Sequence, residues 1–165
     1  MAYLNTLRRV INASLIEDGN ILKRQSGCAD IEFIGDIFLM KSDCNEIHTN
    51  VLGTLFNDVA GYHKKNDWVV FAENKVLICE MKTETLEGYD NQLRNGHQLV
   101  KYILNKLDVN EGADKPSKSI PIKYVLFSNV ADKRTTNGKP HSISNSDGVQ
   151  WYELSCGSIY NVNDF

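Results

Sequence analysis

Two β-type runs separated by a short turn constrain the fold of this chain more than any other feature of its sequence. Trp68 to Phe71 and Val76 to Met81 are rich in β-branched and aromatic residues, and the four residues between them are typical of a hairpin turn. We therefore predict an antiparallel hairpin. Glu73 and Asn74 are the expected central turn residues, and this choice fixes the register of the two strands.

The predicted register brings charged side chains together at the open end of the hairpin. It places Val69 opposite Ile78 and Asp67 opposite Glu80. Since successive side chains of a strand alternate between the two faces of the sheet, Lys82 is expected on the same face as Glu80. The apolar residues on that face require a covering helix, so the three charged groups should lie at its rim.

The segment after the hairpin predicts a crossover connection. Ile120 to Asn129 is a nearly continuous apolar run, typical of a strand buried on both faces, and we expect it to lie parallel to Val76 to Met81. Helical spacing between the two runs is shown by Leu93, Gly96, Val100, Ile103, Leu104 and Leu107. The predicted fold class is α/β, with a central mixed sheet that contains the hairpin and the parallel strand and is flanked by helices.

Other segments give further expectations. The apolar spacing from Leu4 to Leu15 predicts a first helix that ends before Gly19, and Ile31 to Met40 reads as one bent strand or a tight hairpin. A second helix is expected from Asp43 to Val59. Asn110 to Lys118 and Ala131 to Ser146 are expected to be loops, and Val149 to Leu154 a terminal strand.

Composition limits the class of protein. A chain of 165 residues with 42% hydrophobic residues fits one domain, residues 1–165, with an N-terminal helix and strand extension over about residues 1–42. The net charge of -3 argues against a protein that coats nucleic acid nonspecifically.

The cysteines and the N-terminal segment predict the cellular location. Cys28, Cys44, Cys79 and Cys156 show neither zinc-site nor disulfide-scaffold spacing, so we expect free thiols in a reducing cytosol. Since neither a signal peptide nor a transmembrane segment is apparent, a cytoplasmic location without membrane association is expected.

The three charged residues at the hairpin end suggest a metal site. Two opposed carboxylates repel each other, and Asp67, Glu80 and the backbone carbonyl of Met81 are hard oxygen ligands that suit Mg²⁺ or Mn²⁺. A bound cation would activate water for phosphodiester hydrolysis, with Lys82 orienting or deprotonating that water. In the alternative interpretation Glu80 and Lys82 form a solvated ion pair and nothing is bound.

The same residues carry a family resemblance. Asn66-Asp67, twelve residues and then Glu80-Met81-Lys82 resemble the signature of the PD-(D/E)XK nuclease superfamily, although Asn66 stands where the family often has proline. The resemblance covers about half of the chain. It implies a restriction-endonuclease-like core and Mg²⁺-dependent cleavage of DNA or RNA. It also implies that Asp67 and Glu80 are metal ligands and that Lys82 is the catalytic lysine.

Two residues are candidates for a further metal ligand. Glu46 matches the position of a helix glutamate found in many members of this superfamily, but it also suits a capping box with Asp43. His48 resembles the helix histidine of the cap-snatching subgroup, and in the alternative interpretation it is a core histidine with its hydrogen bonds satisfied.

Substrate contacts are expected on the crossover helix and in the loop that follows the parallel strand. Gln98 and Tyr102 resemble the Q-h-x-x-Y motif of recombination-type exonucleases, although their helical angles point them to solvent, and Gln92 lies closer to the apolar flank. Lys133 and Arg134 belong to a locally basic segment suited to phosphate contacts.

The expected partner is a nucleic acid. A homodimer is also expected if both strands of a duplex are cut, because one small domain has one site. The alternative function is a noncatalytic nucleic-acid- or protein-binding module with the same fold.

Overall fold

The computed structural model describes residues 2–23, 27–44, 66–82, 89–111, 120–129, 135–136, 139–140, 142–144 and 150–165. The helices are α1 (Ala2–Val10) and α2 (Tyr89–Glu111), with 3-10 turns at Ala13–Leu15 and Val162–Asp164. The strands are β1 (Ile16–Glu17), β2 (Ile21–Leu22), β3 (Ile31–Ile34), β4 (Ile37–Lys41), β5 (Trp68–Ala72), β6 (Lys75–Lys82), β7 (Ile122–Ser128), β8 (Thr135–Thr136), β9 (Lys139–Pro140), β10 (Ser142–Ser144), β11 (Gln150–Ser155) and β12 (Ile159–Asn161).

A seven-stranded mixed sheet with the order β1-β4-β5-β6-β7-β11-β10 forms the centre of the fold. β6, β7 and β11 are parallel to one another, and the other neighbouring strands are antiparallel. The α/β class, the antiparallel hairpin and the parallel crossover strand are therefore confirmed. A three-stranded sheet, β12-β3-β2, and the small β8-β9 ribbon accompany it.

The hairpin has the predicted register. Ala72 pairs with Lys75, and Val69 pairs with Ile78. β6 then pairs in parallel with β7 over seven residues, from Val76 to Lys82. The helix that connects these two strands is α2, as the crossover pattern predicted.

Side-chain alternation divides the core between the two faces of the central sheet. Val69 and Ile78 pack against apolar residues of α1 and α2, such as Leu7 and Val100. The opposite face packs against the three-stranded sheet and the C-terminal turn, and its members include Trp68, Val70, Leu77, Cys79, Met81, Val125, Phe127, Phe33, Tyr160 and Phe165. We call the face that packs against α1 and α2 the α2 side, and the face that packs against the three-stranded sheet the opposite side.

The N-terminal segment differs from the prediction in two places. α1 ends at Val10, and the chain from Ile16 to Glu17 forms β1 instead of continuing the helix. Ile31 to Met40 is neither one bent strand nor a hairpin, because β3 belongs to the three-stranded sheet and β4 to the central sheet. Gly35, with a φ of 137°, allows the backbone to turn from one sheet into the other.

The C-terminal segment contains more strands than expected. β8, β9 and β10 occupy parts of the predicted loop from Ala131 to Ser146, since backbone pairing there compensates for weak local signals. The expected terminal strand is present as β11, but the chain continues into β12, which pairs in parallel with β3. The helix expected from Asp43 to Val59 lies almost wholly outside the described residues.

The prediction of four free thiols is wrong. Cys28 and Cys156 form a disulfide across 128 residues of sequence, with their Cα atoms 5.4 Å apart. Cys44 and Cys79 are thiols. The pairing of β12 with β3 brings the two partners together, which their spacing in the sequence does not reveal. The expectation of free thiols therefore no longer supports a cytosolic location, which stays a prediction. Among the described helices, none has the length and apolar character needed to cross a membrane.

Candidate functional site

Three charged side chains share the α2 side of the sheet where the hairpin opens. Trp68 pairs with Cys79, so the register continued by one residue sets Asp67 against Glu80. Because Cys79 and Met81 pack on the opposite side, Glu80 and Lys82 must project to the α2 side. The structure therefore places the predicted trio on one face.

The contacts of these residues link the hairpin to α2. Lys82 Nζ lies 2.7 Å from Glu80 Oε1 and donates a second bond, also of 2.7 Å, to Gln92 Oε1 on α2. The backbone N–H of Met81 donates to Asp67 Oδ2 at 2.6 Å. Asp67 is thus held at Oδ2 and Glu80 at Oε1.

The site is buried, which distinguishes it from a solvated surface ion pair. Glu80 is 1% exposed, Asp67 is 7% exposed, and the side chain of Lys82 is 22% exposed. Glu80 Oε2 is buried and has no hydrogen-bond partner among the described residues. A buried, unpartnered carboxylate oxygen is costly, so this atom calls for a ligand.

The pKa values of Asp67 and Glu80 are both raised, because the two carboxyl groups are buried close together. Burial, and after it the nearby Asp67 carboxylate, raise the pKa of Glu80 to about 8 against the opposing effect of Lys82. Burial also raises the pKa of Asp67 to about 6, and the hydrogen bond from Met81 opposes that rise. Among the described residues one ammonium group faces these two buried carboxyl groups, an arrangement that favours the binding of a further cation.

The loop before β5 and the middle of α2 position Asp67. Ser42 Oγ donates to the carbonyl oxygen of Asn66 at 2.6 Å, and Asn66 Nδ2 donates to the carbonyl oxygen of Trp68 at 2.6 Å. α2 approaches this loop at Gly96, where a Cβ atom would contact the Asn66 amide and lie 2.7 Å from Ile78 Cγ2. Glycine at this position lets the helix lie close to the site.

A further acidic residue, Asp43, lies near the site, although its spacing from Glu46 predicts a helix cap. The backbone N–H of Asp43 donates to the carbonyl oxygen of Asp67 at 3.5 Å, and the Asp43 charge raises the pKa of Asp67. The pairing of β4 with β5 brings this residue to the site. Its capping-box spacing concealed a tertiary contact that only the sheet order could reveal.

The residues present fit a small, hard divalent cation. Mg²⁺ and Mn²⁺ prefer oxygen ligands such as carboxylates, and Glu80 Oε2 is a carboxylate oxygen without a partner among the described residues. Since the N–H of Met81 points to Asp67, its C=O should face the same edge of β6. Within the part of the chain that the structure describes, no group of three or more His, Cys, Asp or Glu residues is placed to hold a metal. The remaining ligands of such an ion would be water, substrate or residues outside those ranges.

The other predicted site residues are not gathered at this point. Gln98 is exposed, and Tyr102 is 58% exposed with Lys106 Nζ 5.5 Å from its ring centroid. This agrees with their helical angles, and Gln92 instead contacts Lys82. Glu46, His48, Lys133 and Arg134 lie outside the described residues.

Comparison with known proteins adds no further information about this site. No protein-family model, no curated protein and no solved structure matches the chain.

Proposed function

We propose that the chain is a metal-dependent nuclease that hydrolyses phosphodiester bonds in DNA or RNA. The observation that carries this proposal is the buried pair Asp67 and Glu80. Among the described residues they share one face with a single ammonium group, and Glu80 Oε2 has no hydrogen-bond partner. Structural ion pairs are seldom left with one buried acid in excess, because that arrangement costs stability. Perturbed acids of this kind are typical of functional sites.

Each residue has a separate role in the proposed reaction. Asp67, oriented by the N–H of Met81, and Glu80 would hold Mg²⁺ or Mn²⁺ together with the Met81 carbonyl. The cation would supply water activation and offset the charge that develops on the phosphoryl group. Lys82, oriented by Gln92, would donate a hydrogen bond from its ammonium group to the attacking water and so orient it.

The fold supports the same proposal. An antiparallel hairpin that carries both acids, followed by a crossover helix and a parallel strand, is the arrangement implied by the resemblance to the PD-(D/E)XK superfamily. A restriction-endonuclease-like core is accordingly part of what we propose. A nucleic acid is the proposed partner, and a homodimer is proposed for cleavage of both strands.

Cleavage of labelled single- and double-stranded DNA and RNA tests the proposal. We expect cleavage in Mn²⁺ and none in EDTA, and we expect Lys82→Ala to slow it by roughly 10²- to 10⁴-fold. Lys23→Ala is the matched control, because this lysine directly follows β2 and its side chain is 53% exposed, so the variant should retain full activity. Cleavage that persists in EDTA, or that proceeds at the parental rate in Lys82→Ala, would contradict the proposal.

Calorimetric titration with Mn²⁺ separates this function from a noncatalytic binding module. A nuclease site should bind Mn²⁺ in a manner that depends on Asp67 and Glu80. A module that retains only the fold should show no such binding, and nucleic acid should then bind without being cut.

A further inference from the structure

Ser128 lies beside the catalytic lysine on the adjacent strand. It is the last residue of β7 and pairs in register with Lys82 at the end of β6. Val125 and Phe127 pack on the opposite side of the sheet, so the side chain of Ser128 projects to the α2 side with Lys82. Neighbouring strands are about 4.8 Å apart, which places the hydroxyl within reach of the flexible lysine side chain.

The hydroxyl of Ser128 is buried, and no described residue forms a hydrogen bond with it. Ser128 is 0% exposed, and its Oγ has no partner among the described residues. Ser42 is equally buried, but its Oγ donates to the Asn66 carbonyl oxygen. An unpartnered buried hydroxyl costs free energy that alanine would avoid, which indicates that this group has a partner in another state of the site.

Lys82 is the group able to change partners. Its ammonium group has three N–H donors, and it now donates to Glu80 Oε1 and Gln92 Oε1. A divalent cation bound at Glu80 Oε2 would repel the ammonium group and draw negative charge away from Oε1, which would weaken this acceptor. Gln92 would remain, and the amine would need a second acceptor on the same face.

We propose that Ser128 Oγ accepts a hydrogen bond from Lys82 when Asp67 and Glu80 hold a divalent cation. Ser128 is then a positioning residue. Together with Gln92 it keeps the Lys82 ammonium group near the reacting water when Glu80 binds the metal. The inference rests on the proposed function, because it requires that a cation displace Lys82 from Glu80. No covalent step is involved.

The test combines stability in the absence of metal with Mn²⁺ affinity measured by calorimetry. We expect Ser128→Ala to melt at the same temperature as the parent protein or higher without metal, yet to bind Mn²⁺ about tenfold more weakly. Ser128→Cys fills the same space without a good hydrogen-bond acceptor and should behave alike. Ser155→Ala, which changes the serine paired with Ser128 on β11, should leave Mn²⁺ affinity unchanged.

A double-variant cycle identifies Lys82 as the partner. In a Lys82→Met background, Ser128→Ala should no longer alter Mn²⁺ affinity, because the donor is gone. An unchanged affinity in Ser128→Ala alone, or an equal loss in both backgrounds, would overturn the inference while leaving the metal site intact. Absence of Mn²⁺ binding by the parent protein would instead overturn the proposed function, and this inference with it.

Discussion

The ammonium group of Lys82 lies 2.7 Å from Glu80 Oε1, and both side chains leave the same strand two residues apart. The carboxylate is almost fully buried, whereas the lysine retains partial exposure. Lys82 therefore acts as a counter-ion that can be withdrawn towards solvent. Because Asp67 adds a second buried acid, the one lysine found there among the described residues balances only one carboxylate, and this imbalance is the physical basis of the proposed metal binding.

The raised pKa values predict how stability depends on pH. A carboxyl group with a higher pKa in the folded chain than in the unfolded chain binds more protons when folded, so stability falls as the pH rises between the two values. For Asp67 and Glu80, with pKa values raised to about 6 and about 8, this contribution is lost as the pH rises from roughly 4 to 8. Urea unfolding at a series of pH values should show it.

Two glutamate substitutions, one at the site and one at an exposed control position, test the origin of this pH effect. Glu80→Gln should remove much of the pH dependence of stability. The stability of this variant minus that of the parent protein should therefore be larger at pH 8 than at pH 5. Glu32→Gln, at an exposed position of β3, should leave the dependence as it is. Parallel pH profiles for Glu80→Gln and the parent would contradict the electrostatic account.

Gly96→Ala should destabilise the protein although alanine favours helix. The helix preference alone would stabilise by about 1 kcal/mol, but the new methyl group would press on Asn66 and Ile78. We expect a net loss of about 1–3 kcal/mol in the free energy of unfolding, with weaker metal binding. Asn105→Ala, at an exposed position of α2, should not destabilise. A gain in stability for Gly96→Ala would show that α2 is not in close contact with the site.

The disulfide predicts a specific number of thiols. Titration of the unfolded, unreduced chain should give two reactive thiols, from Cys44 and Cys79, and four after reduction. Because the bond closes a loop of more than 100 residues, reduction should cost about 4–5 kcal/mol of stability. The double variant Cys28→Ser, Cys156→Ser should be insensitive to reductant, and four thiols without reductant would exclude the bond.

Substitution of two glutamines on α2, one at the site and one at an exposed position, tests whether the contact with Lys82 matters. Gln92→Ala removes an acceptor of Lys82 and should slow Mn²⁺-dependent cleavage by about tenfold, with little change in KM. Gln98→Ala changes an exposed side chain and should have little effect on cleavage. Equal effects of the two variants would argue against a role for the Lys82–Gln92 contact.

The parts of this structure that follow from local pattern could be predicted from the sequence. The position of the Glu73-Asn74 turn fixes the hairpin register, and with it the shared face of Asp67 and Glu80. Helical angles likewise placed Gln98 in solvent.

Features that depend on distant segments could not be predicted in this way. The apolar pattern of Ile31 to Met40 does not state which sheet each half joins, and no spacing rule pairs Cys28 with Cys156. Asp43 reaches the site only because β4 lies beside β5.

The most direct test of the central claim is the anomalous signal of Mn²⁺ in crystals soaked with that ion. The account predicts one strong peak about 2.1 Å from an oxygen of Asp67 and from an oxygen of Glu80, with Lys82 Nζ displaced from Glu80. A site without manganese, with Lys82 still bonded to Glu80 at saturating Mn²⁺, would contradict it.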